Sequence, residues 1–285
     1  MAKPTRYTPE IIDSYMKSGD WEPRTWSSVW DRNARDYPGK EAIVDSKKRV
    51  TWGEAKVQTD RLAMGLLEAG IKRDEVLAIQ LPNSVDLCLL RVACEKAGIL
   101  CLPALRTLRH KEMEHLLKYS EATGIVIPWE YKEFDHLRMV QEIRRSLPLK
   151  HIFVAGEKVP AGTISLEEML KRPLEEKYPP DHLEKTRFQP HEFSWITLTS
   201  GTTGLPKFVE SMLCAFTATG KAIAQNFAIT ADDVVAILPA AAAGPNNVGY
   251  WAAPEAAAKI VMQERSDTEA ALRLIEKERV TIVCV

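Results

Sequence analysis

Residues Trp195 to Glu210 read WITLTSGTTGLPKFVE, and the fold turns on how this stretch is interpreted. Trp195 to Thr199 is rich in β-branched and aromatic residues and predicts a buried strand. Ser200, Gly201, Thr202, Thr203 and Gly204 follow, hydroxyls crowded around two glycines that can take positive φ. Pro206 stiffens the exit, Lys207 supplies the only charge of the loop, and Phe208-Val209 resume a strand pattern. Such a loop can turn backbone N–H groups inward as an anion-binding nest, with hydroxyls and an ammonium completing a cradle for a phosphate chain. The plain alternative is a polar turn between two strands, which is what most Gly/Ser/Thr clusters are. Against it stand the density of hydroxyls and the isolation of Lys207, which the uncharged run from Phe193 to Pro206 places in partly desolvated surroundings. The Walker pattern fails at two positions. Pro206 stands where Gly must precede the lysine, and Phe208 where a Mg²⁺-binding hydroxyl must follow.

Outward from that loop, composition sets the bounds. At 285 residues the chain holds one large or two ordinary domains with a sizeable core. Apolar and charged fractions of 45% and 27% argue against extensive disorder, and a net charge of −1 gives no pull toward nucleic acid or an anionic membrane. The amino terminus lacks an apolar signal segment, and the uncharged run Val234 to Pro254 holds too many Pro, Gly and Asn for a spanning helix. Cys88, Cys94, Cys101, Cys214 and Cys284 form no C-x-x-C pair, so buried reduced thiols and a cytoplasmic location are expected. The histidines show no metal-site spacing, and His110 and His115 flank Glu112 and Glu114 without making H-E-x-x-H.

Taken in order, the chain alternates strands and helices. Thr25 caps a short helix whose Trp26 and Trp30 share one face, a staple for the N-terminal segment. Glu41 to Trp52 reads as two strands around a polar turn. Thr51-Trp-Gly-Glu54 is a capping box opening a helix to Ala69, with Gly70 at its stop. Strands at 76–81, 99–104, 124–128 and 151–154 alternate with helices at 84–97, 107–119 (capped by Thr107) and 134–146, a βαβα rhythm that implies a parallel sheet. Residues 174–192, with Pro179, Pro180 and Pro190 among many charges, form a candidate linker between a first subdomain (1–190) and a second (191–285). Beyond the loop come a helix at 213–227, strands at 234–238 and 259–262, a helix at 268–278 and the apolar run 280–285.

The unbroken run TSGTTGLPK, Thr199 to Lys207, resembles the core signature of the adenylate-forming superfamily: acyl- and aryl-CoA synthetases, aryl-acid AMP ligases, peptide-synthetase adenylation domains and luciferases. The run LPALRTLRHKEMEHLLKYSEATGIVI, Leu102 to Ile127, is similar to the first subdomain of aryl-acid AMP ligases and related CoA ligases. The resemblance implies layered α/β sheets of the large N-terminal domain. It also implies ATP-dependent activation of a small carboxylic acid as its acyl-adenylate, with release of pyrophosphate and transfer to CoA or a carrier protein. Thr199, Ser200, Gly201, Thr202, Thr203 and Gly204 would hold the β- and γ-phosphates, and Lys207 would be the catalytic counter-charge.

In relatives that activate aromatic acids, the strand end corresponding to Leu238–Gly244 carries an aromatic or His and then a polar group lining the acyl pocket. Here Ala242 and Ala243 stand in those places, next to Gly244, which puts a hydroxybenzoate in doubt and leaves room for apolar bulk. Asn246 and Asn247 are the nearest polar candidates, with turn formation after Pro245 an equal reading. Phe208 departs from the Gly common at its position. The family's later motifs, for Mg²⁺, ribose and a mobile C-terminal lysine, are not found after Lys259. A truncated large domain without its C-terminal domain is therefore expected, with Mg²⁺ ligands beyond residue 285 and no turnover by residues 1–285 alone. Two other classes stay open: a non-catalytic nucleotide- or acyl-binding module, and a phosphotransferase of another fold, which the failed Walker pattern disfavours.

Overall fold

The computed structural model describes residues 7–156, 159–199, 206–242, 248–264 and 267–284. The N-terminal segment forms α1 (Pro9–Ser18) and α2 (Trp26–Asp36), followed by β1 (Glu41–Val44), β2 (Arg49–Thr51) and α3 (Trp52–Glu68). Then come β3 (Val76–Ile79), α4 (Val85–Ala97), β4 (Leu100–Pro103), α5 (His110–Tyr119) and β5 (Gly124–Pro128). A two-stranded ribbon, β6 (Glu130–Tyr131) and β7 (Phe134–Asp135), precedes α6 (His136–Ile143), β8 (His151–Ala155), β9 (Ile164–Ser165) and α7 (Leu166–Lys171). The remainder is β10 (Phe193–Thr199), β11 (Lys207–Met212), α8 (Leu213–Asn226), β12 (Val234–Ile237), α9 (Val248–Glu255), β13 (Lys259–Met262), α10 (Thr268–Glu278) and β14 (Ile282–Cys284).

Local chemistry explains most boundaries. The capping box at α3 forms as expected, with Thr51 Oγ1 accepting from Glu54 N–H and Glu54 accepting from Thr51 N–H. Ser84 caps α4, and Gly98 ends it at φ +70, where a Cβ would also meet the Thr186 carbonyl at 2.4 Å. Thr107 does not cap α5. The helix starts at His110, with Arg109 at its N-cap donating its N–H to Glu112, while the Leu105 and Leu108 carbonyls ahead of it accept from Gln80 Nε2. The charged helix expected from Phe134 is shorter too: Phe134-Asp135 pairs with β6, and Asp135 caps α6 by accepting from Arg138 N–H.

Two sheets carry the architecture. The larger has the order β11-β10-β4-β3-β5-β8-β9 and the smaller β14-β12-β13-β1-β2. Each is parallel throughout except for one antiparallel edge strand, β11 in the larger and β2 in the smaller. Both sheets draw strands from either side of the 174–192 segment. That segment is packed rather than free-running: Leu174, Leu183 and Phe188 are buried, and Phe188 N–H donates to the Glu95 carbonyl at the end of α4. The layered α/β architecture is the one the sequence implied.

Helix α4 lies at the centre, with nearly every residue buried. Its buried Lys96 is held by Asp31 at 2.6 Å and Asp60 at 2.7 Å, which compensates an otherwise costly charge. Trp26 and Trp30 do staple the N-terminal segment, Trp26 against Trp251 (4.9 Å between ring centroids) and Trp30 against Trp52 (5.1 Å). Trp21 packs apart from them, with Met212 and Cys214. The five cysteines are free, and all but Cys284 are buried. Among the described residues no helix is long and apolar enough to cross a membrane.

Candidate functional site

The loop that opened the sequence reading is flanked by a regular hairpin. Ile196 pairs with Glu210, Thr197 with Val209, Leu198 with Phe208 and Thr199 with Lys207, while Trp195 pairs in parallel with Cys101 of β4. Thr199 and Lys207 therefore stand opposite each other at the open end of the ladder. Ser200, Gly201, Thr202, Thr203 and Gly204 lie outside the described residues. Lys207 is exposed, contrary to the expected partial desolvation, because β11 is the outermost strand of its sheet. Phe208, on the opposite face of β11, stacks on Tyr119 of α5 (4.8 Å between centroids, 26° between planes).

The second expected region follows β12. Ala242 is buried at 8% exposure and Ala241 fully so. Ala243, Gly244, Asn246 and Asn247 lie outside the described residues. Two residues that the sequence reading did not single out hold this segment. Asn83, in the turn after β3, donates from Nδ2 to the Pro239 carbonyl (2.7 Å) and accepts at Oδ1 from Ala241 N–H (2.8 Å). Arg91 of α4 donates from Nη2 to the Ala241 carbonyl (2.5 Å).

Arg91 also joins this segment to an aromatic cluster. Its guanidinium lies 4.2 Å from the Trp195 ring centroid and 4.9 Å from that of Tyr250, two cation–π contacts in a desolvated place. Burial holds the guanidinium below its ordinary range. Burial also pushes the Tyr250 phenol well up, so its hydroxyl stays a donor, bonded to the Cys88 carbonyl at 3.2 Å. Trp251 stacks on Phe216 of α8 (4.3 Å, 14°) and meets Trp195 edge-on (5.3 Å). Gly220 makes the α8–α9 approach possible, since a Cβ there would lie 2.5 Å from the Trp251 carbonyl oxygen. The sequence signal for Arg91 was a lone arginine amid the apolar run of α4. For the cluster it was an aromatic pair inside the small-residue run now seen as α9.

An open cleft of about 540 Å³ lies elsewhere, lined in part by Glu22, Arg24, Lys221 and Glu255. It includes none of the candidate site residues, and its charges pair among themselves, Arg24 with Glu255 at 2.7 Å and Lys221 with Glu22. Among the described residues no group of three His, Cys, Asp or Glu is placed to hold a metal ion.

Comparison with known proteins gives a consistent picture. Residues 30–285 match the family model described as AMP-binding enzyme. The chain is 29% identical over 282 residues to the 2-hydroxy-7-methoxy-5-methyl-1-naphthoate–CoA ligase of Streptomyces carzinostaticus, an alignment covering 97% of this chain and 50% of that protein. It is 27% identical over 284 residues to the 2,3-dihydroxybenzoate-AMP ligase of Bacillus subtilis strain 168, covering 99% of this chain and 51% of that one. Among solved structures, the apo form of Mycobacterium smegmatis MbtA superimposes with a TM-score of 0.85 at 25% identity, over 98% of this chain and 51% of that one. The chain spans about half the length of these relatives. With the hairpin, the signature between its strands and a family match over nearly the whole sequence, the chain belongs to the AMP-binding enzyme family, the adenylate-forming superfamily.

Proposed function

We propose that the full-length protein activates a carboxylic acid with ATP and passes the acyl group to CoA. A carboxylate oxygen attacks the α-phosphorus and the bond to the bridging oxygen of the β-phosphate breaks. Pyrophosphate leaves with that electron pair. The CoA thiol, losing its proton, then attacks the acyl carbon and AMP departs. The observation that carries the reading is the register setting Thr199 opposite Lys207, both solvent-facing at one end of the β10–β11 ladder. A polyphosphate lying there would meet the Lys207 ammonium on one side. Ser200, Gly201, Thr202, Thr203 and Gly204 are proposed as its other donors. Each charge-assisted hydrogen bond contributes about 1.5–3 kcal/mol, most useful where charge grows on the departing pyrophosphate. No Mg²⁺ ligand is assigned within the described residues.

For the acid, Ala242 is buried, and the neighbouring Ala241 carbonyl is one guanidinium away from Trp195 and Tyr250. With Ala243 and Gly244 as further proposed lining residues, small side chains beside aromatic rings favour apolar bulk. They offer a phenolic hydroxyl no partner, with Asn246 and Asn247 the polar groups nearest in sequence. The proposed substrate is a bulky, non-hydroxylated alicyclic or aromatic acid. The test is ATP–pyrophosphate exchange by the full-length protein with a panel of acids, followed by transfer assays offering CoA or an acyl-carrier protein. Exchange highest with such an acid, AMP rather than ADP as product and CoA as preferred acceptor are expected. Highest activity with dihydroxybenzoate would refute the acid assignment, and preference for the carrier protein would make the enzyme an acid–AMP ligase.

A further inference from the structure

Strand β12 makes its last ladder pairs at Ile237, with Met262 on one side and Cys284 on the other. Past that point the chain passes from half-buried Pro239 and Ala240 to fully buried Ala241, and backbone polar groups taken out of water need partners. Side chains supply them. Asn83 takes the Pro239 carbonyl and the Ala241 N–H at once, and Arg91 takes the Ala241 carbonyl. An asparagine after a proline ordinarily bonds its own turn. Here the carboxamide reaches residues 156 and 158 positions away and does what a neighbouring strand would do.

Both residues belong to the β3–α4 unit of the larger sheet, whereas the segment they grip leaves the smaller one. The grip therefore fixes the end of one sheet against the other, one residue before Ala242. The amide is also fully specified: its oxygen and its nitrogen each have a backbone partner of the opposite kind, so neither a flipped amide nor an aspartate reproduces both bonds.

We propose that Asn83, seconded by Arg91, is a positioning residue for the acyl pocket, setting where Ala241 and Ala242 stand. The role at an acyl pocket rests on the adenylation reading, whereas the latch between Asn83 and residues 239–241 does not. Loss of the latch lets the pocket wall move while the β10–β11 hairpin at Thr199 and Lys207, paired to β4 through β10, keeps its register. Acid binding then weakens and ATP binding does not.

The experiment uses the full-length protein as wild type, Asn83→Ala and Asn83→Asp, with Arg91→Lys and Arg91→Met as a second pair. Amide hydrogen exchange reads the latch directly. In Asn83→Ala, peptides covering 238–242 should exchange about tenfold faster, while those covering 76–79 stay as in wild type. Steady-state kinetics read the role: KM for the acid should rise about tenfold with KM for ATP within about twofold. Asn83→Asp keeps an acceptor for Ala241 N–H and should fall between wild type and Asn83→Ala. Arg91→Lys, which keeps a donor for the Ala241 carbonyl, should recover part of what Arg91→Met loses. Unchanged protection at 238–242, or acid and ATP KM rising together, overturns the proposal through the Asn83 variants even if Arg91→Met does not fold. Equal loss in both Arg91 variants removes Arg91 from it. Absence of exchange with every acid in the wild type overturns the adenylation reading instead, and the amide protection then still decides the latch.

Discussion

Two helical glycines meet the same nominal obstacle, and replacing each by alanine should have opposite outcomes. A Cβ on Gly220 of α8 would lie 2.5 Å from the Trp251 carbonyl oxygen, and a Cβ on Gly65 of α3 would lie 2.5 Å from Met169 Cε. Both fall about 0.9 Å short of ordinary van der Waals contact. At Gly65 the obstacle is the far end of a thioether chain with three rotatable bonds, which can turn away. At Gly220 it is backbone, with the Trp251 carbonyl carbon at 2.9 Å behind it, so α8 and α9 must separate. Separation there loosens the stack of Phe216 on Trp251 and the edge contact of Trp195 with Trp251. Overpacking of this kind costs about 1–3 kcal/mol, and replacing Gly by Ala within a helix returns about 1 kcal/mol. Gly220→Ala should therefore destabilise by up to about 2 kcal/mol, while Gly65→Ala should be neutral or stabilising by up to about 1 kcal/mol. Urea unfolding of the full-length protein, followed by tryptophan fluorescence, measures both. Equal midpoints for the two variants would refute the argument that backbone against backbone is what makes Gly220 necessary.

Lys207→Ala should lower kcat/KM for ATP about tenfold, the low end of what a lost charge-assisted hydrogen bond contributes, because the lysine is exposed; unchanged exchange kinetics would make the hairpin purely structural. Stability should also fall with pH through His136, whose pKa is lowered to about 4 by burial and then by the Arg109 cation. Gln80 Nε2 donates to two carbonyls, so its oxygen faces His136 Nδ1, which must carry the proton, and the ring is buried neutral. The unfolded chain binds a proton near pH 6.5 and the folded one only near 4. The contribution is thus complete above 6.5 and is lost as pH falls to 4, about 3 kcal/mol in all. Urea unfolding from pH 7 to 4 for wild type and His136→Gln checks this, and identical pH slopes for the two would refute it.

What the sequence determined by itself were features whose causes lie within a few residues. Thr51 and Glu54 are three apart and make their capping box wherever the helix goes, and Ser84 and Gly98 bound α4 for reasons internal to one turn. The two strands on either side of Ser200 to Gly204 were legible because β-branched and aromatic residues act locally, and Thr199 and Lys207 pair across β10 and β11. The α/β class followed from the alternation of such elements. Tertiary structure alone decided which strands share a sheet: β1 and β2 join strands from the last third of the chain, and β10 joins β4. It also decided the exposure of Lys207, since a strand's position in the sheet, and not its own residues, sets whether its side chains are covered. Asn83 and Arg91 read locally as a turn residue and a stray charge on a buried helix. Their partners lie some 150 residues away, because the chain turns from half-buried Pro239 to buried Ala241 beyond the end of its own strand and must take hydrogen bonds from whatever the fold brings beside it.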